Sequence, residues 1–277
     1  MSDFSGSKSY ILDEELARIV NVAMRLELPL LLKGEPGTGK TLLAHAIAEQ
    51  LGMPLIVLNV KSSMKAVDAL YLYDTLTRLN DSRFGDSTRD VSSIDDYLRM
   101  GKIGQAFCAD RTAVLLIDEI DKADSDFQDD LLDVLDQMSF DIVEVDRTVK
   151  AVHRPVIIIT SNAKKDLSDP FLGRCLFHHI AFPEPDFMGR IVDAHFPDLS
   201  RKVAQAATDA FYRLRTVDGI EKLPATRELL HWVRALQAEP GFDVSQLRND
   251  RTIPLLGVLF KKSDDLARVR RELGQGR

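Results

Sequence analysis

Long apolar runs, cysteine pairs and a surplus of basic residues are all missing from this sequence of 277 residues. No apolar run reaches the ~18–20 residues that are needed to span a bilayer. The Ser-rich start, residues 1–10, also lacks the long apolar core of a secretory signal peptide. We therefore expect a cytoplasmic protein with no membrane span.

The two cysteines, Cys108 and Cys175, do not form a CxxC pair. A disulfide framework and a cysteine-based zinc site are therefore not expected. Because each cysteine lies among apolar neighbours in the sequence, we expect two reduced and mostly buried thiols.

Acidic residues outnumber basic ones, with 43 Asp plus Glu against 36 Lys plus Arg and a formal net charge of -7. Proteins that bind the nucleic-acid backbone usually carry a basic surplus. The composition therefore disfavours nucleic acid as a partner, although a local basic patch is compatible with an acidic total.

Short apolar segments alternate with amphipathic segments over residues 13–182. This alternation predicts an α/β fold, in which a parallel sheet is covered by helices on both faces. The first helix is predicted over residues 13–26, with Asp13 as its N-cap. The predicted strands are 29–33, 55–60, 114–117, 156–160 and 177–182.

The pattern changes after Phe182, where two prolines interrupt the chain and helical periodicity continues without strands. We predict an α/β domain over residues 1–184 and an all-helical domain over residues 185–277. Within the first domain, residues 61–106 are a mixed, polar insertion without a clear assignment, and the β-branched residues of 141–152 predict a hairpin.

A glycine-rich turn lies between the first predicted strand and the next helix. It fits the pattern G-x-x-x-x-G-K-[ST] at every required position. The residues are Gly34, Glu35, Pro36, Gly37, Thr38, Gly39, Lys40 and Thr41, followed by Leu42. In such a loop, backbone N–H groups converge on phosphate oxygens, and glycine allows the tight turn. We expect Lys40 between the β- and γ-phosphates of a nucleotide and the Thr41 hydroxyl on Mg²⁺.

The apolar segment 114–117 ends in two carboxylates, Asp118 and Glu119. Nucleotide hydrolysis needs one carboxylate at the metal and another beside the attacking water. We therefore expect Asp118 to bind Mg²⁺ and the nucleotide, and Glu119 to polarise the water.

The order of these motifs, with Thr160-Ser161-Asn162 ending a later strand, resembles that of AAA+ ATPases. The detailed sequence at residues 34–37, 116–123 and 167–180 resembles that of the MoxR family, and the resemblance covers roughly residues 10 to 240. It implies an AAA+ P-loop fold with a small C-terminal helical lid, and ATP as the substrate.

The resemblance also assigns roles to three further residues. Asn162 matches the sensor 1 position, which helps to orient the attacking water. Arg174 matches the arginine finger, which acts on ATP bound to the neighbouring subunit, although Gly173 precedes it where relatives often carry a second basic residue. Arg227 matches the sensor 2 arginine, with Thr226 as the N-cap of its helix.

The resemblance further implies a homo-oligomeric ring, expected as a hexamer, that acts as a chaperone on a protein client. Relatives remodel clients or help to insert metals into enzymes, and they are commonly paired with a protein that carries a von Willebrand factor A domain. In this group, segments such as 61–106 and 141–152 line the ring pore or touch the client.

Three other functions remain open from the sequence. A DNA-acting AAA+ ATPase, such as a branch-migration motor or clamp loader, needs basic residues in its pore. The insertion at 61–106 holds seven Lys plus Arg but also seven Asp. A nucleotide-switched binding module and a simple P-loop kinase are also possible, but the first does not need Glu119, Asn162 and Arg174 together, and the second has no use for a lid.

Overall fold

The structure, a computed structural model, describes residues 3–7, 10–85, 89–162 and 167–275. These residues form two compact units. The first, here called the α/β unit, is drawn from residues 1–7, 12–34 and 39–180, and the second, here called the helical unit, from 8–11, 35–38 and 181–277.

The α/β unit alternates helices with strands along the chain. Its elements are α1 (Glu14–Leu26), β1 (Leu30–Gly34), α2 (Lys40–Leu51), β2 (Leu55–Asn59), α3 (Ala66–Leu70), β3 (Tyr71–Tyr73), α4 (Thr75–Phe84), β4 (Leu98–Met100), α5 (Lys102–Phe107), β5 (Val114–Asp118), α6 (Ser125–Gln137), β6 (Ser139–Ile142), β7 (Arg147–Lys150), β8 (Val156–Ser161), α7 (Asp169–Gly173) and β9 (Leu176–Ile180).

Five strands form the main sheet in the order β2-β5-β8-β1-β9, and every neighbouring pair is parallel. The α/β prediction is thereby confirmed. The central strands are fully buried, as in Leu30–Leu32 and Val114–Ile117 at 0% exposure, because helices cover both faces of a parallel sheet. The carboxyl ends of parallel strands meet at one edge, where ligands bind in open α/β sheets.

The first helix begins where the sequence predicts it. Asp13 is the N-cap of α1, and its carboxylate accepts a hydrogen bond from the Glu15 N–H at 2.8 Å. The predicted hairpin is confirmed as the antiparallel pair β6 and β7, in which Ser139 lies opposite Lys150. The insertion at 61–106 holds α3, α4, α5 and the antiparallel pair β3 and β4; its residues 86–88 lie outside the described residues.

The helical unit contains helices and short 3-10 turns, with no strand among its described residues. Its helices are α8 (Pro185–His195), α9 (Arg201–Arg215), α10 (Thr226–Ala238), α11 (Leu256–Leu259) and α12 (Ser263–Glu272). They pack around a separate apolar core centred on Trp232, which is fully buried. Its indole N–H donates to the carbonyl of Pro254 at 3.0 Å.

Two local predictions are wrong. Cys108 is exposed because it lies just past the end of α5, whereas Cys175 is half-buried. The N-cap of α10 is Ala225 rather than Thr226, and the Glu228 carboxylate satisfies the Ala225 N–H at 3.1 Å. Among the described residues, none of the helices combines the length and apolar content of a membrane span.

Candidate nucleotide site

The glycine-rich loop joins the end of β1 to the start of α2. Gly37 and Gly39 have φ of 82° and 89°, a left-handed backbone that glycine adopts without strain. Gly39 is the N-cap of α2, so the first N–H groups of a helix of 12 residues emerge from this loop. A helix N-terminus of this kind attracts phosphate oxygens.

Two side chains of the loop bond to its own backbone. The Lys40 ammonium is buried and donates to the Gly34 carbonyl at 2.8 Å. Thr38 is also buried, and its hydroxyl donates to the Glu35 carbonyl at 2.9 Å. Of the other residues named from the motif, Pro36 is exposed and Leu42 is 53% exposed.

Asp118 lies at the carboxyl end of β5 and receives two hydroxyl groups on one oxygen. The Thr41 hydroxyl donates to its Oδ1 at 2.9 Å, and the Thr160 hydroxyl donates to the same atom at 2.7 Å. The structure therefore brings the end of β5, the start of α2 and the end of β8 together. Thr160 was not singled out from the sequence, and only the parallel pairing of β5 with β8 shows its position.

Glu119 is held at both its backbone and its carboxylate. Its backbone is left-handed, with φ of 59°, and its N–H donates to the Thr160 hydroxyl at 2.9 Å. The Asn162 side-chain amide donates to Glu119 Oε1 at 2.8 Å, and Lys122 forms an ion pair with Oε2. That pair raises the pKa of Lys122 from its ordinary value, first through the hydrogen bond to Glu119 and then through its charge.

These residues form a continuous hydrogen-bonded group, here called the strand-end cluster: Thr41, Asp118, Glu119, Lys122, Thr160 and Asn162. A partly buried hydrogen-bonded network of this kind restricts side-chain directions. The sequence predicted four of its members, and Lys122 and Thr160 are additions from the structure.

The oxygen donors of the strand-end cluster fit a Mg²⁺ ion that is bound jointly by the protein and by nucleotide phosphates. A hydroxyl and a carboxylate, from Thr41 and Asp118, already share a hydrogen bond. Mg²⁺ is usually bound by one or two carboxylates together with substrate phosphates and water.

Arg174 lies elsewhere in the α/β unit. It caps the carboxyl end of α7 and forms an ion pair with Asp136 of α6, with its side chain 41% exposed. The structure therefore does not bring Arg174 into the strand-end cluster through any hydrogen bond among the described residues.

The helical unit contains Arg227, the second residue of α10. Its side chain is exposed and makes no hydrogen bond or ion pair within the described ranges. A different arginine of this unit, Arg215, is mostly buried and lies 3.7 Å from the Glu35 carboxylate of the loop segment 35–38. The sequence showed no motif around Arg215, so it was not predicted.

Comparisons with known proteins place this geometry in a family. The model of the ATPase family associated with various cellular activities (AAA) matches residues 30–183. The 26S proteasome regulatory subunit 10B of Dictyostelium discoideum is 29% identical over 187 residues, which is 62% of this chain and 38% of that protein. The Holliday junction branch migration complex subunit RuvB of Chlamydia caviae is 36% identical over 110 residues, which is 39% of this chain and 29% of that protein.

The aligned region thus spans about a third of the length of these two relatives. Among solved structures, a mutant of Thermotoga maritima RuvB is similar with a TM-score of 0.55 and 15% identity, covering 99% of this chain and 76% of that chain. At this identity, the likeness shows the fold alone.

Proposed function

Since this chain belongs to the AAA family of ATPases, we propose that it hydrolyses ATP with Mg²⁺ at the strand-end cluster. The observation that carries this proposal is the hydrogen-bonded link from Thr41 through Asp118 and Thr160 to Glu119. It joins the two residues suited to a metal with the carboxylate suited to a water molecule, and it does so on rigid strand ends.

Each residue has a separate task in this proposal. The loop residues 34–42 bind the phosphates, and Lys40 exchanges its bond to the Gly34 carbonyl for phosphate oxygens. Thr41 and Asp118 hold Mg²⁺, which when bound neutralises phosphate charge. Glu119 accepts a hydrogen bond from the attacking water and draws its proton, which positions the water for in-line attack.

Asn162 acts through Glu119. Its amide bond to Oε1 at 2.8 Å fixes the plane of the carboxylate. A carboxylate has about four lone-pair sites, so the bonds from Asn162 and Lys122 leave sites for the water. This contact supports the sensor 1 role that we propose for Asn162.

We further propose that the chain forms a homo-oligomeric ring, a hexamer, in which Arg174 completes the site of the neighbouring subunit. Arg174 has no described hydrogen bond to its own strand-end cluster, which fits a residue that acts in trans. Residues 1–184 serve as the nucleotide-binding domain and 185–277 as the helical lid, where Arg227 senses the γ-phosphate.

The finer proposal is a MoxR-like chaperone in the cytoplasm that remodels a protein client or helps to load a metal into an enzyme, together with a von Willebrand factor A domain protein. The resemblance of residues 116–123 to the MoxR family supports this proposal. The second candidate, a DNA-acting ATPase, is favoured by the RuvB relative. Residues 1–180 carry 20 Lys plus Arg against 29 Asp plus Glu, and this acidic balance favours the protein client. DNA binding that falls steeply with salt would instead support the second candidate.

The test is the ATPase rate per subunit against protein concentration, with Mg²⁺, for the wild type, Arg174→Ala and Glu119→Gln. We expect the rate to rise with concentration and to fall about 10³-fold or more in Arg174→Ala. The matched control is Arg147→Ala, since Arg147 is 45% exposed and pairs with Asp95 at 2.9 Å. It should keep the wild-type rate.

Two results would contradict the proposal. A rate that is independent of concentration and survives the loss of Arg174 would replace the ring with a monomeric ATPase. Unchanged hydrolysis in Glu119→Gln would remove Glu119 from its role, whatever the oligomeric state.

A further inference from the structure

Arg215 ends α9 and is unusually enclosed for an arginine of the helical unit. Its side chain is 12% exposed. The guanidinium stacks over the Phe182 ring, 3.7 Å from the ring centroid, and lies 5.8 Å from that of Phe211. It also donates to the carbonyl of Pro224. A guanidinium held between a ring and a carbonyl has a fixed direction.

The Arg215 guanidinium points toward the loop segment 35–38, which belongs to the same compact unit. Its guanidinium lies 3.7 Å from Glu35 Oε2. Burial lowers the pKa of Arg215 from its ordinary value, and the Glu35 carboxylate opposes this effect. The guanidinium is therefore partly dehydrated, and the Glu35 carboxylate compensates part of that cost.

The segment 35–38 approaches the start of α10 too closely for chance packing. A Cβ added to Gly37 would lie 2.6 Å from the Cβ of Ala225, a distance that real Cβ atoms essentially never show. Ala225 directly follows Pro224, to which Arg215 donates. The close approach of Gly37 to Ala225 and the ion pair of Arg215 with Glu35 thus both bring this segment against residues of the helical unit.

The negative charge of Glu35 opposes the binding of an anionic ligand to the loop in which it lies. It directly follows Gly34 in a segment whose proposed ligand carries several negative charges. A carboxylate near such a ligand repels each of its negative charges, and the repulsion is stronger near a protein surface than in bulk water. Glu35 is 60% exposed, so water reduces this repulsion without removing it.

We propose that Arg215 is a positioning residue that neutralises Glu35 and so allows the loop to bind the anionic phosphates of ATP. The inference rests on the proposed ATP site at residues 34–41. Arg215 acts through Glu35 and requires no contact of its own with the nucleotide. It is distinct from Arg227, the residue assigned to sensor 2.

The test is a double-substitution cycle that measures the dissociation constant for ATP. Glu35→Gln should tighten ATP binding about two- to tenfold, because it removes a negative charge and leaves the cation. Arg215→Met should weaken binding by a similar factor, and the pair together should return close to the wild-type value. Both single effects should shrink at 0.5 M salt, since ions screen the exposed carboxylate, and should be smaller for AMP than for ATP.

The control is Asp250→Asn, which removes the carboxylate of another ion pair of the helical unit, with Arg213 at 3.3 Å. It should leave the dissociation constant unchanged.

The outcomes separate this inference from the proposed function. A wild-type protein that does not bind ATP would end the proposed function and this inference with it. A wild type that binds ATP, together with Glu35→Gln that binds it no more tightly, would overturn the inference alone. Glu35→Gln decides the matter even if Arg215→Met does not fold, because Glu35 is mostly exposed.

Discussion

The two units of this chain place their polar side chains in different ways. In the α/β unit, candidate residues follow the ends of neighbouring strands and bond to one another, as Thr41 and Thr160 do to Asp118. In the helical unit, Arg227 is exposed and Arg215 is enclosed by rings. A parallel sheet gathers polar residues at one edge by its topology, whereas helices gather them only through packing.

Charge follows the same division. Residues 1–180 carry 20 basic and 29 acidic residues, and residues 181–277 carry 16 and 14. The acidic excess of the first region includes the carboxylates of the strand-end cluster and of α6. The acidic excess of the chain therefore lies in residues 1–180, whereas residues 181–277 are close to neutral.

The largest effect that we expect concerns stability and tests whether the two apolar cores are equivalent. Trp232→Ala removes the fully buried ring of the helical unit, and Phe107→Ala removes one from the α/β unit, also at 0% exposure. Each should lower the free energy of unfolding by about 3–5 kcal/mol because of the lost transfer energy and the cavity. Urea denaturation followed by circular dichroism measures both.

A conservative variant separates the ring from its hydrogen bond. Trp232→Phe keeps most of the apolar surface but leaves the Pro254 carbonyl without its donor, and should cost about 1–3 kcal/mol. If Trp232→Ala were to cost less than 1 kcal/mol, the helical unit would not depend on this core, and the two units would differ in packing as well as in chemistry.

The sequence predicted the α/β unit far better than the helical unit because strands and the glycine loop are local signals. Four of the five sheet strands contain an apolar run of three or more residues, and the ends of β1, β5 and β8 carry the residues of the motifs. The insertion could not be assigned because its elements are short, and α4 has no buried residue. Lys122, Thr160 and Arg215 were missed because their roles depend on contacts that no spacing along the chain displays.

A smaller effect on activity compares two buried threonines, one in each unit. Thr160→Val removes the hydroxyl that donates to Asp118 and accepts from the Glu119 N–H. Because a buried donor and a carboxylate lose a partner, kcat should fall about tenfold or more. The matched control is Thr208→Val, in which the lost hydroxyl donates only to the Ala204 carbonyl within α9.

Steady-state ATPase assays measure both threonine variants, with thermal melting to show that each is folded. Thr208→Val should keep kcat within about twofold of the wild type, since a helix carbonyl that already serves the backbone tolerates the loss. Equal losses in the two variants would contradict the view that the chemistry is concentrated in the strand-end cluster.

The smallest effect is a difference in alkaline stability between the units. Burial, and then the charge of Asp136, raises the pKa of Cys175 in the α/β unit from 9.0 to about 12. Burial also raises the pKa of Tyr212 in the helical unit from 10.0 to about 12. Because each folded-state pKa lies above the unfolded value, each group's stability contribution is complete below the unfolded pKa and is lost as pH rises toward about 12.

The loss due to Cys175 should therefore begin about one pH unit below the loss due to Tyr212. Cys175→Ala should flatten the fall in unfolding free energy above about pH 9, by about 2 kcal/mol at pH 10.5. Tyr212→Phe should flatten it only above about pH 10. Chemical denaturation at several pH values measures these slopes, and the slope remains informative even though Tyr212→Phe also loses the bond to the Pro183 carbonyl. If both variants were to change the slope from the same pH, the thiol in the α/β unit would not be the first group to ionise, and the proposed order of alkaline loss in the two units would be wrong.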